Sequence, residues 1–371
     1  MSAARRLAVI GAALVIIAVA GILYANPQPP WLRSQVGVAQ PSALTGPFTP
    51  TYDFITPTIG WALVIDYSAF TTRFFVFHTI DGAAHWYKQY AGKARGDSPY
   101  LHFFDALHGF VYAGFSYRTV DGGAHWRVMN VPGSQPVVNF ANPTEGWAQS
   151  FRAGSQYMYR TGDGGATWSR LAASPLIPGS AVPVLKPETS TFDSQCEGWL
   201  GATATRSPAT VFVTFDCGAT WLSQPIMSNV APGNRYETAV RRVRGNSVVA
   251  FVSDGAGNVV AAFLTADHGA TWREVPFPTQ LSAPEAVSFA DSQHWWILSA
   301  GAIYTSDNAG NLWTHVRGSG APEGWQLDVG QAMDAYHAWG ILTSTSKSQV
   351  SSLAMTLDGG SHWSVVSAPQ P

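Results

Sequence analysis

One short phrase recurs along the chain: a threonine, any residue, an aspartate, a small turn, then a tryptophan. The copies are Thr79-Ile80-Asp81…Trp86, Thr119-Val120-Asp121…Trp126, Thr161-Gly162-Asp163…Trp168 and Thr214-Phe215-Asp216…Trp221. They continue as Thr265-Ala266-Asp267…Trp272, Thr305-Ser306-Asp307…Trp313 and Thr356-Leu357-Asp358…Trp363. Successive aspartates are 40, 42, 53, 51, 40 and 51 residues apart. A tandem period of roughly 40–50 residues made of short β-runs cannot bury its apolar faces one unit at a time. It constrains the chain to sheets that stack on their neighbours, as propeller blades do.

Each copy sits between two β-runs, such as Arg73-Phe74-Phe75-Val76-Phe77 before the first, and therefore reads as a hairpin turn. An aspartate opening a turn accepts hydrogen bonds from the backbone N–H groups that follow it. Gly123, Gly165, Gly218, Gly269 and Gly360 stand where positive φ is needed, with Ala83 in that place in the first copy. The sixth copy carries one extra residue before Trp313, so local distortion is expected there. A second phrase lies upstream of most copies: Gly60-Trp61, Gly109-Phe110, Gly146-Trp147, Gly198-Trp199, His294-Trp295-Trp296 and Ala338-Trp339. Each unit then reads as a four-stranded meander, and the expected architecture is an all-β, seven-bladed propeller of four-stranded antiparallel blades over residues 48–371. Length alone would suggest two or three domains, but stacked blades act as one.

The N-terminus is of another kind. Arg5-Arg6 precede an uncharged apolar stretch from Leu7 to Ala25. That length falls between the core of a signal peptide and a membrane span, so residues 1–25 read as a hydrophobic helix that is either an uncleaved anchor or a cleaved signal. The basic flank places the following domain outside the cytoplasm. Residues 26–47, rich in Pro and small polar residues, read as a stiff tether. The only cysteines, Cys196 and Cys217, fall in two turns of the fourth unit that emerge at one end of the sheet. Outside the cytoplasm this placement favours a disulfide worth about 3 kcal/mol over two free thiols.

Little in the chain points to chemistry. The seven aspartates Asp81, Asp121, Asp163, Asp216, Asp267, Asp307 and Asp358, with Trp86, Trp126, Trp168, Trp221, Trp272, Trp313 and Trp363, recur once per unit. A residue needed by every blade belongs to the scaffold. Most histidines fall in the repeated turns and read as caps; no Cys or carboxylate stands at ligand spacing from the rest, so no metal, cofactor or catalytic group is assigned. Asp254-Gly255-Ala256-Gly257-Asn258 lacks the later glutamate of a calcium loop and reads as a tight hairpin. A formal net charge of −2 gives no reason to expect nucleic acid. One charge cluster remains, Arg241, Arg242 and Arg244, which reads either as a solvated strand end near the channel or as a carboxylate-binding patch. Arg118 and Arg160 read as exposed strand residues.

These hairpins resemble the Asp-box, or bacterial neuraminidase repeat, of sialidases, sortilin-type receptors, xyloglucanases and the photosystem II stability and assembly factor family. The combination of Gly-Trp strands with Thr-x-Asp turns is most similar to the last. That resemblance, over about residues 48–371, implies a monomeric, non-catalytic, extracytoplasmic propeller that binds a membrane protein or its exported segment, with Arg241, Arg242 and Arg244 as its basic patch. The competing class is a sialidase-like or other glycoside hydrolase or glycan-binding propeller. Sialidases carry an Arg-x-Pro-type motif near the first blade; the candidate here, Arg206-Ser207-Pro208, lies in the fourth unit. Docking is expected on the face of the blade-to-blade loops, including 174–190, 225–237 and 344–352.

Overall fold

A computed structural model describes residues 44–45 and 48–371, apart from 69–70, 96–98, 153–154, 172–183, 194–195, 206–207, 228–234, 244–246, 280, 282, 300–301, 318–320 and 347–349. The helix expected over 1–25, most of the tether and Arg244 lie outside the described residues. Among those described the chain is all-β, arranged as antiparallel four-stranded meanders in the manner of a propeller.

The first meander is β2–β5 (Phe48–Phe54, Gly60–Asp66, Arg73–Thr79, Tyr87–Lys93), and the next is β6–β9 (Tyr100–Phe103, Gly109–Tyr112, Ser116–Thr119, Arg127–Val128). There follow β10–β13 (Ser134–Phe140, Gly146–Arg152, Ser155–Thr161, Ser169–Arg170) and β14–β17 (Val184–Phe192, Gly198–Thr205, Ala209–Thr214, Leu222–Met227). Then come β18–β21 (Arg235–Arg242, Val248–Ser253, Val259–Thr265, Arg273–Glu274) and β22–β25 (Val287–Phe289, Trp295–Ser299, Ala302–Ser306, Thr314–Val316). The last is β26–β29 (Trp325–Ala332, Ala338–Ser344, Val350–Thr356, Ser364–Val366). Strand β1 (Leu44–Thr45) pairs with β28, so sheet structure begins inside the stretch expected to be tether. The three expected loops are also shorter than anticipated: residues 184–190 belong to β14, 225–227 and 235–237 to β17 and β18, and 344 and 350–352 to β27 and β28. Pairing of β15 with β18 (Thr203↔Glu237 to Thr205↔Arg235) joins two meanders into one eight-stranded sheet.

Burial grades across each meander. Second strands such as Gly60–Ile65 and Val248–Val252 are apolar and covered on both faces, whereas outermost strands such as β9 and β13 are short and exposed. A strand sandwiched between neighbouring sheets must be apolar on both sides, which is why these runs do not alternate. The glycine of the Gly-Trp phrase has a packing reason. Phe54, Phe103, Phe140 and Phe192 end the first strands and pair across to Gly60, Gly109, Gly146 and Gly198. Each ring lies over its glycine; a Cβ on Gly109 would sit 2.6 Å from Phe103. Two of these rings stack on the tryptophan of the preceding meander, Phe103 on Trp61 at 3.6 Å and Phe192 on Trp147 at 4.0 Å, while Phe140 meets Phe110 at a tilt. Phe54 stacks on Trp339 at 3.9 Å, and the Trp86 indole donates to the Ser367 carbonyl at 2.8 Å, so the first and last meanders pack together.

The recurring turn is a closed hydrogen-bond cage. In the second copy the Thr119 hydroxyl donates to Asp121 Oδ1 at 2.9 Å and accepts the Gly123 N–H at 2.9 Å; Asp121 Oδ1 accepts the His125 N–H at 2.9 Å. Two successive residues take left-handed backbone in every copy, for example Gly122 and Gly123, with Ala83, Cys217, His268 and Ala309 tolerating it elsewhere. The sixth copy departs from the sequence reading. There the Ser306 hydroxyl donates to Asn308 Oδ1 at 3.0 Å and accepts the Gly310 N–H, while Asn308 Oδ1 accepts the Leu312 N–H at 2.9 Å. Asp307 is therefore not the cage acid: the phrase is Ser306-Asp307-Asn308, one residue later. With that phase Trp313 follows its turn residue by five positions, as in every other copy, and no residue is inserted. Asn308→Ala is expected to cost about 1 kcal/mol in urea unfolding, the usual worth of a capping hydrogen bond, and Asp307→Ala nothing measurable. The reverse order would restore the earlier phase.

Cys196 and Cys217 are joined by a disulfide that ties the turn before β15 to the Asp turn after β16. Among the cage acids, hydrogen bonds from the Thr271 side chain and backbone hold Asp267 down to about 2, and those from His362 hold Asp358 down to about 2. Asp163 is lowered in the same way by Thr167.

Candidate binding site at the channel mouth

The first strands of successive meanders end around one cavity of about 660 Å³. Its wall contains Asp53 and Phe54 from β2, His102 and Phe103 from β6, Phe192 from β14, Arg241 and Arg242 from β18, Ser288 from β22 and Gln331 from β26. These strand ends lead into the Gly-Trp turns. The cavity therefore opens on the face that carries the Asp turns, and so do Arg241 and Arg242, rather than the opposite loop face where docking was expected. The reason is topological: in a meander the first-to-second and third-to-fourth connections emerge at the same end.

Asp53 is the hub of one wall. Its Oδ2 accepts the Phe103 N–H at 2.6 Å and lies 3.2 Å from His102 Nδ1; its Oδ1 accepts from Gln331 Nε2 at 3.0 Å. Gln331 also donates to the Phe54 carbonyl and accepts the Phe54 N–H, so three meanders meet at one carboxylate. Such bonds are charge-assisted and set the geometry of the wall. His102 remains half-exposed beside Phe104 and Phe110.

The two described arginines diverge, as strand alternation requires. Arg241 reaches forward, donating from Nη1 to the carbonyls of Pro284 (3.0 Å) and Val287, with its guanidinium 5.1 Å from the centre of the Phe289 ring. Arg242 reaches back to the preceding meander, 3.6 Å from Asp193 Oδ2 and 3.4 Å from Glu197 Oε1. Glu197 is buried; it accepts the Trp199 indole N–H at 2.6 Å and holds His268 Nδ1 on its other oxygen. Arg242 is thus engaged with the buried Glu197 and the partly exposed Asp193, and removing it would take a cationic partner from both. Arg241 lines the same cavity, its guanidinium held by the Pro284 and Val287 carbonyls and the Phe289 ring. Of the other expected surface arginines, Arg118 donates to the carbonyls of Asp163 and Gly164 in the next meander, and Arg160 pairs with Glu145 at 2.8 Å. Sequence reasoning did not single out Asp53, His102, Gln331 or Glu197; the one available signal was that His102 belonged to no repeated turn.

Chemically, the mouth sets a carboxylate with an imidazole on one wall and a guanidinium several meanders away, between aromatic rings. Among the described residues its lining holds one carboxylate, Asp53, whereas most glycoside hydrolases set two across a cleft, sialidases with their tyrosine nucleophile being an exception.

Fold and turns together define an Asp-box, propeller-type β protein. Solved structures similar to the chain include YCF48 bound to a D1 peptide, with TM-score 0.48 and 15% identity over 88% of this chain and 99% of that one. They also include the NanB sialidase of Streptococcus pneumoniae, with TM-score 0.39 and 11% identity over 88% and 70%. A prolyl endopeptidase matches with TM-score 0.52 and 10% identity over 89% of this chain and 51% of that one. The last likeness is one of fold, and the chain spans about half the length of that enzyme. No described protein family and no curated protein sequence matches the chain.

Proposed function

We propose that the chain is a non-catalytic, seven-bladed propeller that binds an extended protein segment at its channel mouth, outside the cytoplasm, in the service of assembling or stabilising a membrane protein complex. The observation that carries this reading is the 660 Å³ cavity, walled by first-strand ends and offering Asp53, His102 and Arg241 between aromatic rings. A site of that size with a few convergent polar groups suits a peptide or small ligand. The blade count rests on dividing the eight-stranded sheet at the β15–β18 pairing and on the contact of the first meander with the last. Residues 1–25 act as anchor or signal and 26–43 as tether, since Leu44–Thr45 already belong to the sheet. The disulfide supports an oxidising compartment.

Arg241→Met removes the charge together with the guanidinium's contact with Phe289 and its bonds to the Pro284 and Val287 carbonyls. It is expected to cut recovery of crosslinked partner from membranes at least tenfold, with thermal unfolding measured alongside to separate lost binding from lost fold. Recovery equal to that of the parent chain would rule against the mouth. A glycan-hydrolase reading is tested on a panel of sialosides and glucans, where turnover by purified protein would reverse the assignment.

A further inference from the structure

The Asp-turn face is not uniform around the ring. In the contiguous meanders β22–β25, β26–β29, β2–β5 and β6–β9, six aspartates each hold an imidazole: Asp291–His294, Asp334–His337, Asp358–His362, Asp81–His85, Asp105–His108 and Asp121–His125, with Nδ1–Oδ distances of 2.6–2.9 Å. In the cages of the other three meanders the partner is threonine, at Thr167, Thr220 and Thr271. Large apolar side chains are exposed on the same arc: Leu312 (69%), Tyr336 (65%), Leu357 (58%), Val120 (57%), Leu107 (53%) and Ile80 (37%).

The fold does not require them. The residue between Thr and Asp must face outward because the threonine is buried, yet Gly162 and Ala266 fill that place in two of the other three meanders, with Phe215 in the third. Leu107 and Tyr336 are turned out because their N–H groups donate to Asp105 and Asp334, and Gln293 makes the equivalent bond to Asp291. Apolar side chains held in water by turns that accept polar ones mark an interaction surface. The six carboxylates stay ionised: for Asp81, Asp105, Asp121, Asp291 and Asp334 partial burial opposes ionisation, and donors from the paired histidine and backbone outweigh it.

We propose that this arc docks a basic, leucine- or phenylalanine-bearing peptide segment of a partner protein, apart from the channel mouth. Apolar anchors among carboxylates complement a cationic amphipathic chain, and the same charge repels an anionic bilayer. Arg127, exposed at the start of β9, lies at the margin.

The test uses the full chain in nanodiscs of neutral lipid and a fluorescent peptide of Arg, Leu and Ser, read by anisotropy at pH 8. The triple variant Leu107→Ser/Tyr336→Ser/Leu357→Ser should bind at least tenfold more weakly, as should a peptide with Ser for every Leu or Glu for every Arg. Phe215→Ser, an exposed apolar residue off the arc, and Arg241→Met should bind the peptide as the parent does. Every substituted arc residue is exposed, so thermal unfolding should not move. Equal binding by triple variant and parent, no binding at all, or tight binding of the Glu peptide would each overturn the proposal. Abolition of peptide binding by phosphatidylcholine vesicles would assign the arc to lipid instead.

Discussion

Trp61→Ala is expected to lower the unfolding free energy by about 4 kcal/mol, the upper part of the range for large core truncations. Trp61 is completely buried, lies face to face with Phe103 at 3.6 Å and with His78 at 4.5 Å, and donates its indole N–H to the Gly122 carbonyl at 3.2 Å. Deleting it opens a cavity between two meanders and removes one of the two donors to the Gly122 carbonyl, which keeps Gln89 Nε2 at 2.7 Å, so transfer and cavity losses dominate. Trp313 is also a repeat tryptophan, but it lies toward the surface, with its indole on the Pro276 carbonyl. Trp313→Ala should cost less than half as much. Urea titration followed by far-UV circular dichroism measures both. A loss below about 1 kcal/mol for Trp61→Ala would mean that the stacked Trp–Phe seams do not hold the meanders together.

His78 should make the chain lose stability in mild acid. Its ring is stacked on Trp61, and both ring nitrogens are shut off from water with no hydrogen-bond partner among the described residues. Burial lowers its pKa from 6.5 to about 4. The unfolded chain therefore takes up this proton at a higher pH than the folded one, and stability rises with pH between the two values. The contribution is complete above about pH 6.5, falls as pH drops towards 4 and is gone below that, a change on the order of 3 kcal/mol. The cage aspartates act in a separate window: with Asp267 and Asp358 lowered to about 2, their contribution is present above 3.8 and fades as pH falls towards 2. His78→Phe keeps the stack and removes the proton site. Subtracting its stability profile from that of the parent should give a step between pH 6.5 and 4; a flat difference would show that His78 titrates alike in the folded and unfolded chains.

The turns were legible because each is closed by bonds spanning at most four residues, as between Thr119, Asp121, Gly123 and His125. The one misreading, Asp307 for Asn308, arose where Thr305-Ser306-Asp307 imitates the phrase while Ser306 and Asn308 substitute for its threonine and aspartate. Constant spacing to the tryptophan would have resolved it. The arginine cluster was legible as charge but not as contact. Glu197 stands 45 residues from Arg242, and nothing local distinguishes an arginine that neutralises a buried glutamate from one that faces a cavity. The contacts of His78 and Asp53 were likewise beyond local reading, since Trp61 lies on another strand and Gln331 is 278 residues from Asp53.

What the residues alone determined was the repeating unit: strand runs, Asp turns, the Gly-Trp phrase and the order of meanders, all governed by short-range hydrogen bonding and by which faces must be dry. Packing decided what each of the two described arginines touches, what surrounds Asp53, and that the histidine-held aspartates share an arc with exposed apolar residues. Those features join chain segments separated by tens to hundreds of residues, and their proximity exists only once the first and last meanders are in contact.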